Sequence, residues 1–208
     1  MPDPAPIGAR PAPEPRPRLV LRLSSFLSLL TRDVGDQLRA LDRHREREFD
    51  FWHPLRDALR GYALEGLGRG DALEGIEAAA TQAMLRRNQE VFERTADWLD
   101  GREGRLVPPP SGVWRSPRGV LEVAVDPEIA VERRGRLDVV ALYGREAPRL
   151  RRDQAGAACR VMAEALGDDV AVGVLDVEAG TVLRAPTKLS DRVLEREVDL
   201  IEDEVLRA

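Results

Sequence analysis

Near residue 100 this 208-residue chain changes its hydrophobic period from about 3.6 residues to 2, and that switch limits its fold more than any single motif does. From Leu19 to about Asp100 the pattern is helical. Ser24 or Ser25 opens a first helix, and the charged stretch from Asp36 to Glu48 continues it. Another helix runs from Pro54 to Leu67, since proline fits best in a first helical turn. Gly66, Gly68 and Gly70 then break the chain. A long helix follows from about Asp71 to Asp100, with the stripe Ile76, Ala80, Ala83, Met84, Val91, Thr95, Trp98 interrupted at Arg87.

Beyond Gly101 the texture is that of strands. Pro108-Pro109-Pro110-Ser111-Gly112 is a punctuation point, and three short runs follow: Val120 to Val125, Ile129 to Arg133 and Leu137 to Tyr143. The first two alternate in polarity, as half-buried strands do. The third is nearly all apolar and reads as a central strand. Helix, strand, short strand and helix complete the chain: about Arg149 to Leu166, Val170 to Val177, Thr181 to Arg184, then a last helix capped by Ser190. The expected fold is therefore α/β or α+β, a mixed sheet with a three-strand meander, a crossover helix and a further strand, preceded by a helical region. Residues 1–18 hold seven of the 15 prolines and read as a disordered tail. Residues 19–100 form the helical region, and residues 101–208 form the sheet region packed with it as one domain.

Composition removes several chemistries. Of 32 basic residues only Lys188 is a lysine, and it sits in no glycine-rich turn, which excludes a P-loop NTPase and a protein kinase. Cys159 is the only cysteine, so an internal disulfide and a cysteine-rich metal site are excluded, and its helical context reads as structural. His44 and His53 are the only histidines, with no HExxH, and no GxSxG elbow exists. Gly66-x-Gly68-x-Gly70 follows a helix, the wrong setting for dinucleotide binding. No run is long and apolar enough for a membrane span and no secretory signal is evident, so the expected location is cytoplasmic. The net charge of −5 is uneven: residues 101–152 carry eleven basic against seven acidic residues, whereas 153–208 carry six against thirteen. The acidic final helix reads as a solvated face.

The order helix, three strands, helix, strand, over roughly residues 75–178, resembles the restriction-endonuclease-like fold, the PD-(D/E)XK nuclease superfamily. That resemblance implies an aspartate at the second strand and an acidic-x-Lys set on the third, which together hold Mg²⁺ or Mn²⁺ and activate water against a phosphodiester. Asp126-Pro127-Glu128 stands where the second strand begins, and Asp138-Val139-Val140 on the third, with valine at the lysine position. The implied catalytic set is Asp126, Asp138 and a displaced basic or polar residue, Arg152 or Gln154. The implied metal ligands are Asp126 and Asp138, with Glu90 or Glu93 as a third. Equally, Asp126-Pro127 is an ordinary turn dipeptide and Asp138 has Arg136 and Arg151 within reach.

The missing lysine points to a non-catalytic, nuclease-like protein that needs no cofactor. It would work by association with a protein partner or a second copy, in a nucleic-acid-processing or defence complex. The alternatives are an active metal-dependent nuclease and a purely structural accessory subunit. Phe49, Phe51 and Trp52 are read either as core or as a partner-docking anchor.

Overall fold

The computed structural model describes residues 19–46, 50–184 and 186–207, with backbone alone for 42–46. The tail of residues 1–18 lies outside them, as do Phe49 and the His44 side chain. The helical half comprises β1 (Leu19–Arg22), α1 (Leu23–Leu30), α2 (Val34–Glu46), α3 (His53–Leu64), α4 (Arg69–Ala79) and α5 (Gln82–Asp100). The sheet half comprises β2 (Arg105–Val107), β3 (Gly112–Arg115), β4 (Leu121–Val125), β5 (Ile129–Arg133), β6 (Arg136–Tyr143), α6 (Arg152–Leu166), β7 (Val170–Asp176), β8 (Thr181–Leu183) and α7 (Lys188–Arg207). The class is mixed α+β. Among the described residues no helix is long and apolar enough to cross a membrane.

Two sheets run β1-β4-β3 and β2-β5-β6-β7-β8, and one hairpin threads both. Val107 pairs with Ala130 and Gly112 with Val125, which is a single antiparallel register on either side of a gap. The gap sets Pro108–Ser111 against Asp126–Ile129. Prolines carry no N–H for the ladder, so the arms part there without slipping. The expected turn at Asp126-Pro127 is therefore a break within one long strand, and β4 and β5 are its two halves. The meander is present, but its arms are residues 105–115, 121–133 and 136–143. The first arm was hidden in sequence behind its prolines.

β6 is the central strand that its apolar run predicts, antiparallel to β5 and parallel to β7 across the α6 crossover. Its alternation feeds two cores. Val139, Ala141 and Tyr143 face α1, α6 and α7, while Val140 and Leu142 face α3, α4 and α5. The long helix expected from Asp71 to Asp100 is two, parted at Ala80-Thr81, where Ala80 is extended.

Two polar details correct the sequence reading of the later helices. Thr187 rather than Ser190 caps α7: its Oγ1 accepts the Ser190 N–H at 3.2 Å while Ser190 Oγ accepts the Thr187 N–H at 3.1 Å. Nor is the acidic α7 wholly solvated. Glu197 and Glu202 are buried, the first against Gln37 and Arg196, the second against Ser116 and Arg118.

Gln154 is structural. Its Oε1 accepts the Arg151 N–H at 3.0 Å, closing the first turn of α6, and its Nε2 donates to the Leu30 carbonyl at 2.7 Å, satisfying the C-terminal end of α1. Gln154→Ala leaves both backbone groups without their partner, so urea unfolding is expected to show a loss of roughly 2–3 kcal/mol. An unchanged midpoint would refute that role.

Candidate functional site

The proline-opened part of the hairpin floors a cleft of 730 Å³ whose far wall is α3. Because the arms separate, Asp126 and Glu128 are released from the ladder and turn toward α3. Arg22, at the end of β1, donates to Asp126 at 2.9 Å and stands 3.7 Å from Asp50. Asp50 also binds Arg56 and accepts the Trp52 N–H at 3.1 Å, which shapes the entry into α3. Glu128 accepts the Leu142 N–H at 2.9 Å. Burial pushes its pKa up to about 7, against the opposing pull of that hydrogen bond and of Arg56. Burial raises Asp126 too, opposed by Arg56 and Arg22. The cleft thus holds an ion-paired carboxylate and a second carboxyl that exchanges its proton near neutral pH.

Asp126 and Asp138 do not come together. Asp138 pairs with Val131 in the β5–β6 register, while Glu128 meets β6 at Leu142. Four residues of strand, about 13 Å, separate those levels. Asp138 is held instead by Arg184 at 3.1 Å, not by Arg136 or Arg151. The third-strand residues level with the break are Ala141, Leu142 and Tyr143, which offer neither a carboxylate nor an ammonium group. Glu93 is exposed on α5, bonded to neither aspartate, and Glu90 is occupied by Arg86 and Arg87. Gln154 belongs to the α1–α6 junction, and Arg152 is exposed at the start of α6. Among the described residues no group of three or more His, Cys, Asp or Glu side chains is placed to hold a metal ion. The residues present do not fit the divalent ion that a nuclease site implies.

Burial pushes the Cys159 thiol up to about 11, which matches the structural reading of that cysteine. His53 starts α3 and faces Asp57 at 3.4 Å.

Phe51 and Trp52 lie beside the cleft and pack edge to face, with ring centroids 4.8 Å apart. Both are half-buried, so neither is wholly core. Trp52 lies over Gly144, where a Cβ would come within 3.0 Å of the indole. The segment is tied down by Asn88 of α5, a fully buried residue that the sequence pattern did not single out. Asn88 Oδ1 accepts the Leu55 N–H at 3.1 Å, and Nδ2 donates to the Phe51 carbonyl at 3.2 Å and to that of Met84 at 2.9 Å. The one available signal was an asparagine next to Arg87 at the point where the apolar stripe of α5 lapses. These aromatics edge a second groove, of 1180 Å³, walled by β1, α1 and the loop from Gly144 to Ala147. Arg87 closes one end, donating to the Gly144 carbonyl at 2.8 Å and to Glu178 at 2.6 Å.

No family model matches this chain, and no curated protein does. Among solved structures, that of SSO0001 aligns with 84% of this chain and 84% of its own at 11% identity, with a TM-score of 0.34. A likeness that slight assigns neither fold nor activity.

Proposed function

We propose that this chain is a restriction-endonuclease-like protein without a hydrolytic site, and that it works by association. The supporting order of elements is α5, the three-armed meander, α6 and β7, with β7 parallel to β6. One observation carries the non-catalytic reading: the two aspartates that would share a metal ion lie at different levels of the sheet, each bound to its own arginine. A guanidinium carries hydrogen-bond donors and no acceptor, so neither Arg22 nor Arg184 supplies a base for water. The half-buried aromatic edge at Phe51 and Trp52 is the contact surface this reading favours for a protein partner or a second copy, since such rings concentrate binding energy.

Incubation with single- and double-stranded DNA and RNA in Mg²⁺ or Mn²⁺ should leave the strands intact. Native mass spectrometry and light scattering should reveal a homo-oligomer or, with extract added, a defined complex. Metal-dependent scission that disappears in Asp126→Ala or Asp138→Ala would overturn the proposal. A hydrolytic site rebuilt on the two acids that do share the cleft would instead lose activity in Glu128→Ala.

A further inference from the structure

The second groove holds two arginines, Arg32 and Arg145, that pair with no carboxylate among the described residues. We infer that it is a phosphate-binding site, in which the Arg32 and Arg145 guanidinium groups take the phosphoryl oxygens of a nucleoside phosphate while Phe51 and Trp52 receive its base. The inference does not need the nuclease-like reading, because the acidic break lies in the other cleft, but it gives to a base the Phe51–Trp52 edge assigned above to a partner, so ligand and partner would compete there.

The contrast with neighbouring arginines is the main argument. Arg22 is bound to Asp126, Arg56 to Asp50, and Arg87 to Glu178 and the Gly144 carbonyl. Arg145 is half-buried, yet among the described residues it has neither a carboxylate partner nor a hydrogen bond. Arg32 has, among the described residues, a single long bond from Nε to Ser28 Oγ, 3.4 Å. Burial, and then the charge of Arg32, lower the pKa of Arg145 below the usual arginine value. A like-charged, partly desolvated pair is costly by itself, and an anion placed between the two forks reverses that cost.

The rest of the groove fits such a ligand. Its lining carries four arginines against two carboxylates, Asp50 and Glu146, and both acids already face arginines. Ser24, Ser25 and Ser28 add hydroxyl groups along the α1 wall. Aromatic rings beside a cationic groove are what a base needs in order to stack next to its phosphate. The volume of 1180 Å³ is ample for a nucleotide and its water.

Titration of the full chain at low salt, read by calorimetry and tryptophan fluorescence, tests this with five probes: pyrophosphate, a nucleoside diphosphate, ribose 5-phosphate, an unphosphorylated nucleoside and a single-stranded oligonucleotide. The expected order places the nucleoside diphosphate about tenfold or more ahead of pyrophosphate, with the bare nucleoside far weaker. Arg145→Gln and Arg32→Gln should each weaken the diphosphate roughly tenfold to a hundredfold. Arg145→Gln should also leave the melting temperature unchanged or higher, whereas a purely structural arginine would lower it. An oligonucleotide that binds more tightly than the free nucleotide, with a steeper salt dependence, identifies a strand as the source; the reverse order identifies a free nucleotide. The inference is overturned if no phosphorylated probe binds at about millimolar concentration, if both variants bind as the parent does, or if the bare nucleoside binds equally well. Pyrophosphate binding as tightly as the nucleoside diphosphate would overturn the role given to the aromatic pair.

Discussion

Glu128→Gln is expected to stabilise the protein at pH 8 by about 3 kcal/mol and to flatten most of its stability profile between pH 4.5 and 7. The Glu128 carboxyl has a pKa of about 7 in the folded chain against an ordinary 4.5. Between those values the folded state keeps a proton that the unfolded state has released. Stability must therefore fall as pH rises through that window and level off above 7. At roughly 1.4 kcal/mol per pH interval of one, the full loss is about 3 kcal/mol. For a chain of this size that corresponds to about 6–12 °C in Tm. Glutamine keeps an acceptor for the Leu142 N–H and removes the titration. A shallow slope of the same sign should persist from Asp126, whose pKa burial also raises. Thermal melts of both proteins from pH 4 to 8 provide the check, and parallel profiles would refute the account.

Asn88→Ala should cost about 3–4 kcal/mol, because it strips three hydrogen bonds from a fully buried site and opens a cavity there. The lost groups include the Leu55 N–H in the first turn of α3, where no intrahelical acceptor replaces the asparagine oxygen. Release of the Phe51 carbonyl should also loosen the aromatic pair. The fluorescence of Trp52 should then shift toward the red, while Trp98 and Trp114, elsewhere in the fold, hold their signals. A stability loss below about 1 kcal/mol would mean that water substitutes for the side chain.

Long-range arginine bonds explain why the carboxylates were the part of the sequence hardest to read. Asp126 binds Arg22 from 104 residues away, and Asp138 binds Arg184 from 46 away. Nearer arginines, such as Arg136 and Arg151, were the plausible partners in sequence. In a chain with 31 arginines, proximity along the backbone carries little information about pairing. Gln154 is a related case. Its place at the third position of a helix is a capping signal as much as a chemical one, and its second bond, to Leu30, depends on how α1 meets α6.

Burial is encoded locally, which is why so much of the architecture could be read from residue order. A doubly apolar run makes a central strand, as Leu137 to Tyr143 does; a spaced apolar stripe makes a surface helix, as in α7; Pro54 marks a helix start. The prolines at 108–110 were legible as an interruption, but not as one inside a strand, because the pairing that continues across them is set by residues on both sides and on the opposite arm. Tertiary structure alone decided which charges meet, that Asn88 holds the aromatic segment, and that Arg32 and Arg145 share a groove. Hydrophobic periodicity depends on neighbours a few residues away, whereas a charge or a hydrogen-bonding group finds its partner across the fold, where only register and helix packing set the distance.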